Sequence, residues 1–292
     1  MNGIILINKE KNYTSQDVVS CVKKILKIKK AGHTGTLDPQ ATGVLPILLG
    51  DATKLSKYLI EHDKEYEAII KLGIKKDTAD SEGKTIEEKE VLEDKLEEKE
   101  IKNVLNSFLG ETYQIPPMYS SIKINGKKLY EYAREGIQIE RPKRKIKIYN
   151  IELLNLNKEE NTIKIRVSCS KGTYIRTLCE DVSEKLGTVG YMKELNRTKV
   201  DNFKIQDAVL LEELERNEER KIISIEEYYT NYNFIEEIEL DDKKLKLFLN
   251  GSKLTIQKED GLYRIYNNKE FIGLGTILIK NLKRDIIINE KD

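Results

Sequence analysis

The chain has 292 residues, 35% of them charged, and its 51 Lys and Arg against 50 Asp and Glu leave a formal net charge of +1. Overall charge therefore names no partner, while 39% hydrophobic residues suffice for one large domain or two unequal ones and exclude a single small module. The three cysteines, Cys21, Cys169 and Cys179, form no CxxC pair, and the N-terminus lacks the order of a signal peptide, so a reduced, cytoplasmic setting is expected. No apolar run approaches the roughly 18 residues that span a bilayer, which sets membrane functions aside. His33 and His62 stand apart from the cysteines and give no ligand spacing, so no metal and no cofactor is expected.

In chain order, GIILINK reads as a buried strand, and Thr14 or Ser15 caps a helix whose apolar residues are Val18, Val22, Ile25 and Leu26. Residues 31 to 58, AGHTGTLDPQATGVLPILLGDATKLSKY, hold four glycines and two prolines and are expected to form a constrained loop rather than regular structure. They lack the Lys and Ser/Thr of a Walker A loop and contain no GxGxxG, so nucleotide binding has little support, and the loop is expected to present one side chain. EYEAIIKLG (65–73) reads as a strand and KKDTADSEGKT as a loop. The charged block from Glu87 onward, continuing as KNVLNSFLG, reads as a solvated helix with its apolar side toward Val104, Leu105, Phe108 and Leu109.

The segment from Pro117 to Asn150 differs from the rest, with nine Lys and Arg against three Glu and four tyrosines interleaved. Cations neutralise phosphates and aromatic rings stack on unpaired bases, so this composition points to RNA and not to DNA. Beyond it, TIKIRV alternates as a strand and a helix follows through Cys179. DAVLLEELERNEER reads as an acidic helical connector, and residues 233–292 read as a small β-rich unit balanced in charge.

An Asp-Pro pair alone is most often a turn former, but GHTGTLDPQATGVLP closely resembles the signature of the TruB family of bacterial tRNA pseudouridine-55 synthases. DKEYEA (63–68), IPPMYSSIKINGKKLYEYAREG (115–136), SKGTYIRTL (170–178) and LNRTKV (195–200) resemble further family motifs in family order. The resemblance covers roughly residues 1 to 205. It implies an α+β catalytic domain (1–232) built on a twisted mixed sheet, with a thumb inserted at about 117–147 and a PUA-like β-rich domain at 233–292.

It also implies isomerisation of the T-loop uridine of tRNA to pseudouridine, with the base flipped out, no cofactor, and a monomeric enzyme. Asp38 matches the catalytic aspartate, Arg176 the arginine that pairs with it by two parallel hydrogen bonds, and Tyr66 the tyrosine stacking on the uracil. Leu195 matches an apolar residue beside the base and His33 a histidine that holds the flipped state. Tyr174, Lys9 and Arg197 lie in matched motifs as substrate-binding candidates, and Lys123, Lys127, Lys128 and Arg134 are expected to face phosphates of the T stem-loop. The chain departs from the family pattern at Glu10, where Pro is usual, at Asn12, where Gly is usual, and at Asn196, where Arg is usual. Asn12 is compatible with a positive φ. Two other readings stand beside this one: a tRNA-binding or tRNA-folding protein without catalysis, and a guide-RNA-dependent pseudouridylase.

Overall fold

The computed structural model describes residues 1–216 and 221–288. The first strand and helix form as expected: β1 (Gly3–Lys9) is followed by α1 (Ser15–Leu26), capped by the Thr14 side chain in a reciprocal box with Asp17. The glycine-rich segment is more regular than expected. Only residues 34–41 form an irregular loop, between β2 (Ala31–His33) and β3 (Thr42–Leu49); a 3-10 turn (Gly50–Leu55) and α2 (Ser56–Leu59) follow. The run VLPILL forms a strand because it is buried on both faces, where continuous apolar sequence is favoured over alternation.

β4 (Lys64–Leu72) leads into a short hairpin, β5 (Ile74–Lys76) with β6 (Thr85–Glu88), and then a 3-10 turn (Glu93–Leu96) and α3 (Glu98–Asn106). The helix expected from Glu87 thus starts eleven residues late. Residues 87–95 carry no apolar stripe to bury, so Glu87 and Glu88 pair with Lys75 and Ile74 in the hairpin, and helix begins where Ile101, Val104 and Leu105 supply one.

Next come β7 (Gly110–Gln114), the hairpin β8 (Lys123–Ile124) and β9 (Lys127–Lys128), α4 (Leu129–Arg134), β10 (Arg144–Asn157), β11 (Thr162–Cys169), α5 (Ile175–Lys185), β12 (Gly190–Val200) and β13 (Phe203–Lys204). Nine strands form one mixed, twisted sheet in the order β1-β3-β12-β4-β11-β10-β7, with β2 on β3 and β13 on β12. Only β12 and β3 run parallel; the other pairs are antiparallel. The segment expected to form a thumb lies between β7 and β10, and its basic tail, Arg144 to Lys147, belongs to β10.

The β1 end of the sheet is covered on both faces. Ile5 and Ile7 pack under α1 against Val18, Val19 and Val22, while Ile4 and Leu6 pack against Ile223, Ile225 and Tyr228. β4 and β11 instead alternate, with Ala68, Ile70, Ile163 and Ile165 buried under α3 and α5, and Glu67, Lys164 and Arg166 paired on the open face. Among its described residues the connector has α6 (Leu211–Glu215) and α7 (Ile225–Glu227) with short helical turns at Ile205–Asp207 and Tyr228–Tyr232; the remainder of the helix expected there, 217–220, lies outside the described residues.

The C-terminal part has β14 (Glu237–Glu239), α8 (Asp242–Leu249), β15 (Leu254–Thr255), β16 (Gly261–Asn267), β17 (Glu270–Leu278) and β18 (Asn281–Ile287), with sheet order β14-β16-β17-β18-β15. This architecture fits a PUA-like unit. It is not packed separately: Leu274 and Ile286 sit in the same apolar cluster as Ile4, Leu6 and Val44, and Lys57 and Tyr58 both reach Asp285. Because the cluster is shared, Leu274→Ala is expected to cost about 2–5 kcal/mol. Calorimetry should record a single lowered transition for the whole chain, and two transitions moving independently would contradict a shared core.

Candidate active site

Asp38 projects from the 34–41 loop, which is tied at several points. Leu37 is held at both backbone groups by the Ser15 hydroxyl, its N–H donating at 2.9 Å and its carbonyl accepting at 3.2 Å, so the start of α1 clamps the loop. Ala41 N donates to Asp38 O at 3.0 Å, closing the turn that Pro39 favours. The Pro39 carbonyl accepts from Asn12 N at 3.0 Å and from the Lys9 ammonium at 3.0 Å, and Lys9 also donates to Glu10 O and Tyr13 O at 2.9 and 2.8 Å. Asn12 takes φ +70, the backbone that the usual glycine would supply.

Arg176, in the first turn of α5, is buried and meets Asp38 side-on, Nε to Oδ2 at 3.1 Å and Nη2 to Oδ1 at 3.3 Å. Its remaining donors go to Tyr119 O (2.7 Å), Thr78 O (3.3 Å) and Asp80 Oδ2 (3.4 Å). Four N–H groups of Nη1 and Nη2 thus hydrogen-bond, and Nε faces Asp38 as an ion pair. Asp80 escaped the sequence reading because no local pattern separates it from Asp77 or Glu82 in the same loop. It is fixed by Thr78 Oγ1 at 2.6 Å and Glu82 N at 3.1 Å, so one buried arginine faces two carboxylates.

Asp38 keeps 33% of its side-chain surface open. Burial pushes its pKa above the ordinary aspartate value; Arg176 opposes that shift, while Asp80 and Glu82 add to it.

Tyr66 on β4 is buried beside Leu37, Ala41 and Leu195 in one apolar cluster. It lies opposite Arg197 of β12 in the sheet register. Burial raises the Tyr66 hydroxyl pKa and the Arg197 charge draws it back. Tyr174, just before α5, has its backbone N–H and carbonyl held by the Gln114 side chain at 2.8 and 3.0 Å. His33 accepts from Gly35 N at 3.3 Å through Nδ1, and burial together with Arg197 lowers its pKa, which keeps the imidazole neutral at pH 7. Asp38, Arg176, Tyr66, Leu195, Tyr174 and His33 are therefore gathered around one loop.

Two substrate-binding candidates are placed elsewhere. Lys9 and Arg197 are 0% and 1% exposed, so neither reaches an RNA backbone. Lys9 instead ties the Asp38 loop, at the Pro39 carbonyl, to the turn at Glu10 and Tyr13, and Arg197 donates to Val44 O at 2.9 Å and Gly35 O at 3.2 Å. Burial lowers Lys9 to about 8. Asn196, which replaces the usual arginine, accepts from Thr42 Oγ1 at 3.1 Å.

The thumb cations stand away from this cluster. Lys127 pairs with Glu135 and lies 4.8 Å from the Tyr132 ring centre, while Lys128 and Arg134 both lie 5.3 Å from that of Tyr130. Lys123 is exposed and meets no carboxylate among the described residues. Leu129 is fully buried and anchors the hairpin, Arg141 donates to Pro116 O at 3.0 Å across its base, and Arg176 holds the Tyr119 carbonyl at its root. No cluster of His, Cys, Asp and Glu that could hold a metal occurs among the described residues. No helix there is long and apolar enough to cross a membrane.

These charges have measurable consequences. Arg176→Met leaves two carboxylates without their cation and is expected to cost about 3–5 kcal/mol in thermal or denaturant unfolding. Asp38→Asn should act in the opposite direction. A carboxyl whose folded pKa exceeds its unfolded value opposes folding when ionised, so the gain in Tm should be largest near neutral pH. It should vanish as pH falls through the folded value toward 3.8. Equal Tm differences at pH 4 and pH 7 would contradict the assigned shift.

Comparison with known proteins agrees with this geometry. Residues 23–175 match the model of the TruB family pseudouridylate synthase N-terminal domain, 176–231 the tRNA pseudouridylate synthase B C-terminal domain, and 237–282 the C-terminal domain of pseudouridine synthase II TruB. The tRNA pseudouridine synthase B of Clostridium tetani is 48% identical over 94% of this chain and 95% of that protein. That of Clostridium acetobutylicum is 45% identical over 97% and 98%. Among solved structures, a Cbf5-Nop10-Gar1 complex superposes with a TM-score of 0.64 at 28% identity, covering 95% of this chain and 79% of that one. An H/ACA RNP bound to a substrate RNA gives 0.67 at 23% identity, covering 99% and 86%, which speaks for the fold alone. With its first family model spanning more than half the chain and full-length relatives this similar, the chain belongs to the TruB family of pseudouridylate synthases.

Proposed function

We propose that this protein isomerises a uridine of tRNA to pseudouridine, and that the uridine is the one in the T loop. The observation that carries the reading is the Asp38–Arg176 pair, side-on and backed by Asp80, beside Tyr66 and Leu195 in a member of this family. The reaction breaks the bond from ribose C1′ to uracil N1 and makes one from C1′ to C5; a proton leaves C5 and one is gained at N1. It consumes no oxidant, reductant or second substrate, and an activated carboxylate suffices to divide it into easier steps.

Each residue has a role in that scheme. Asp38 is the nucleophile, kept anionic in a half-closed site by the guanidinium of Arg176. Tyr66 stacks on the uracil, and Leu195 packs beside it. His33, uncharged at pH 7, occupies the space left by the extruded base, and Tyr174 lines the pocket wall from α5. Extrusion costs a few kcal/mol, which contacts between the thumb and the T stem-loop offset. Lys123, Lys128 and Arg134 are the phosphate ligands, with Lys127 joining them once RNA displaces Glu135.

The Arg176 bond to Tyr119 O supports a link between thumb and chemistry, because movement of the thumb root alters the acceptors of the arginine that holds Asp38. We propose a monomeric, cytoplasmic enzyme with a catalytic domain at 1–232 and a PUA-like domain at 233–292. The long stretches of identity to proteins named tRNA pseudouridine synthase B favour this stand-alone reading over a guide-dependent one.

The test is conversion of an unmodified tRNA transcript in chelator, with the modified position mapped. Wild type is expected to convert the T-loop uridine, and Asp38→Ala to bind the same tRNA with its rate reduced at least about a thousandfold. Binding without conversion by wild type would instead favour a folding protein or a guide-dependent enzyme.

A further inference from the structure

We propose that Arg197 is a positioning residue for the isomerisation, acting through the hydroxyl of Tyr66; this rests on the reading above that the chain forms pseudouridine. Arg197 is among the largest fully buried side chains of the protein, at 1% exposed. A guanidinium stays charged at any working pH, and a charge removed from water is costly unless it is paired. Arg176 meets two carboxylates and Arg264 reaches Glu237, yet Arg197 meets no carboxylate among the described residues. Its hydrogen-bond acceptors are the carbonyls of Val44 and Gly35, and Tyr66 is its cross-strand neighbour on β4.

The other groups that sense its charge are Lys9 on β1, His33 on β2 and Lys64 on β4, which are basic or neutral. Tyr66 is thus the one neighbour in that set able to take on negative charge. Facing the phenol from elsewhere are Cys169 on β11 and Asp38 on the loop, both of which disfavour a phenolate.

The backbone is shaped to bring this contact about. Arg197 pairs with Tyr66 on one side of β12 and with Gly43 of the parallel strand on the other. Gly43 has φ +111, and a Cβ there would come 2.2 Å from the Arg197 carbonyl, so only glycine permits the approach. A guanidinium held beside the phenol offers its oxygen a donor, and a bond formed there occupies one lone pair and restricts where the O–H can point. Burial of both partners strengthens that bond relative to one in water.

A wholly structural arginine, needed only to hold Gly35 and Val44, would act on the loop and not on Tyr66. A double-mutant cycle separates the two cases. Turnover and tRNA KM would be measured for wild type, R197M, R197K, Y66F and the two double variants, with Tm for each. R197M is expected to lower kcat about 10- to 100-fold while KM for tRNA changes less than about twofold. R197K, which keeps charge and a donor, should recover part of the loss. In the Y66F background neither substitution should lower kcat by more than about threefold further.

Losses that multiply with Y66F, or an unchanged kcat in R197M, overturn the proposal. If R197M does not fold, R197K decides by the same cycle. A wild type that forms no pseudouridine on tRNA overturns the functional reading and this one together, whereas an active wild type with multiplying losses overturns this one alone.

Discussion

The site depends on how one guanidinium distributes its five donors. Arg176 binds both oxygens of Asp38, one oxygen of Asp80 and two backbone carbonyls, from a helix turn that is closed to solvent. Each acceptor comes from a different part of the chain: the 34–41 loop, the turn after β5, the thumb root. None of the three segments is regular structure, and the arginine is what they share. Burial, to which the charges of Asp80 and Glu82 add, explains why Asp38 has a raised pKa despite its arginine partner. A carboxylate of this kind is less stabilised as an anion than a simple, solvated ion pair would make it.

Behind this pair, the loop bearing Asp38 is held by cations that carry no carboxylate partner. Lys9 and Arg197 are buried, and both donate to backbone carbonyls of the loop or of the strand that follows it. Carbonyl oxygens are weak partners for a full charge, so these two positions are expensive in stability terms. Their placement makes sense where geometry matters more than stability, as in a loop that has to hold one carboxylate in a fixed position. The thumb shows the same economy at the surface, where Lys128 and Arg134 rest on one tyrosine ring and remain free of acids in the described residues. Their charge stays available to an incoming polyanion.

The second sheet is tied to the first more closely than its position at the chain end suggests. Arg264 reaches Ile235 O, Thr230 and Tyr266, and Tyr266 donates to Glu226, so β16 is bonded to the connector. Leu274 and Ile286 complete the apolar cover over β1. The C-terminal unit therefore closes a face of the catalytic sheet that would otherwise be exposed, and its contribution to stability does not require any contact with RNA.

Read alone, the sequence determined what local pattern carries. The alternation in β4 and β11, the capped helix after Thr14, the glycine and proline spacing around Asp38, and the match of five ordered motifs were all legible, because each lies within a few neighbouring residues. The strand over VLPILL was not, since a continuous apolar run is a strand only when both faces find cover, and that cover comes from α1 and the connector. The late start of α3 depended on hairpin pairing 12 to 14 residues back, between Lys75 and Glu87 and between Ile74 and Glu88. Asp80 looked like any loop aspartate until the fold placed it on Arg176, 96 residues away. Lys9 and Arg197 looked like RNA ligands because charge normally means surface; only the assembled sheet put them inside, where their donors face carbonyls instead of phosphates. Sequence thus determined residue chemistry and local backbone, while tertiary structure decided which charges are buried and with what, because burial is a property of the distant segments that close over a residue.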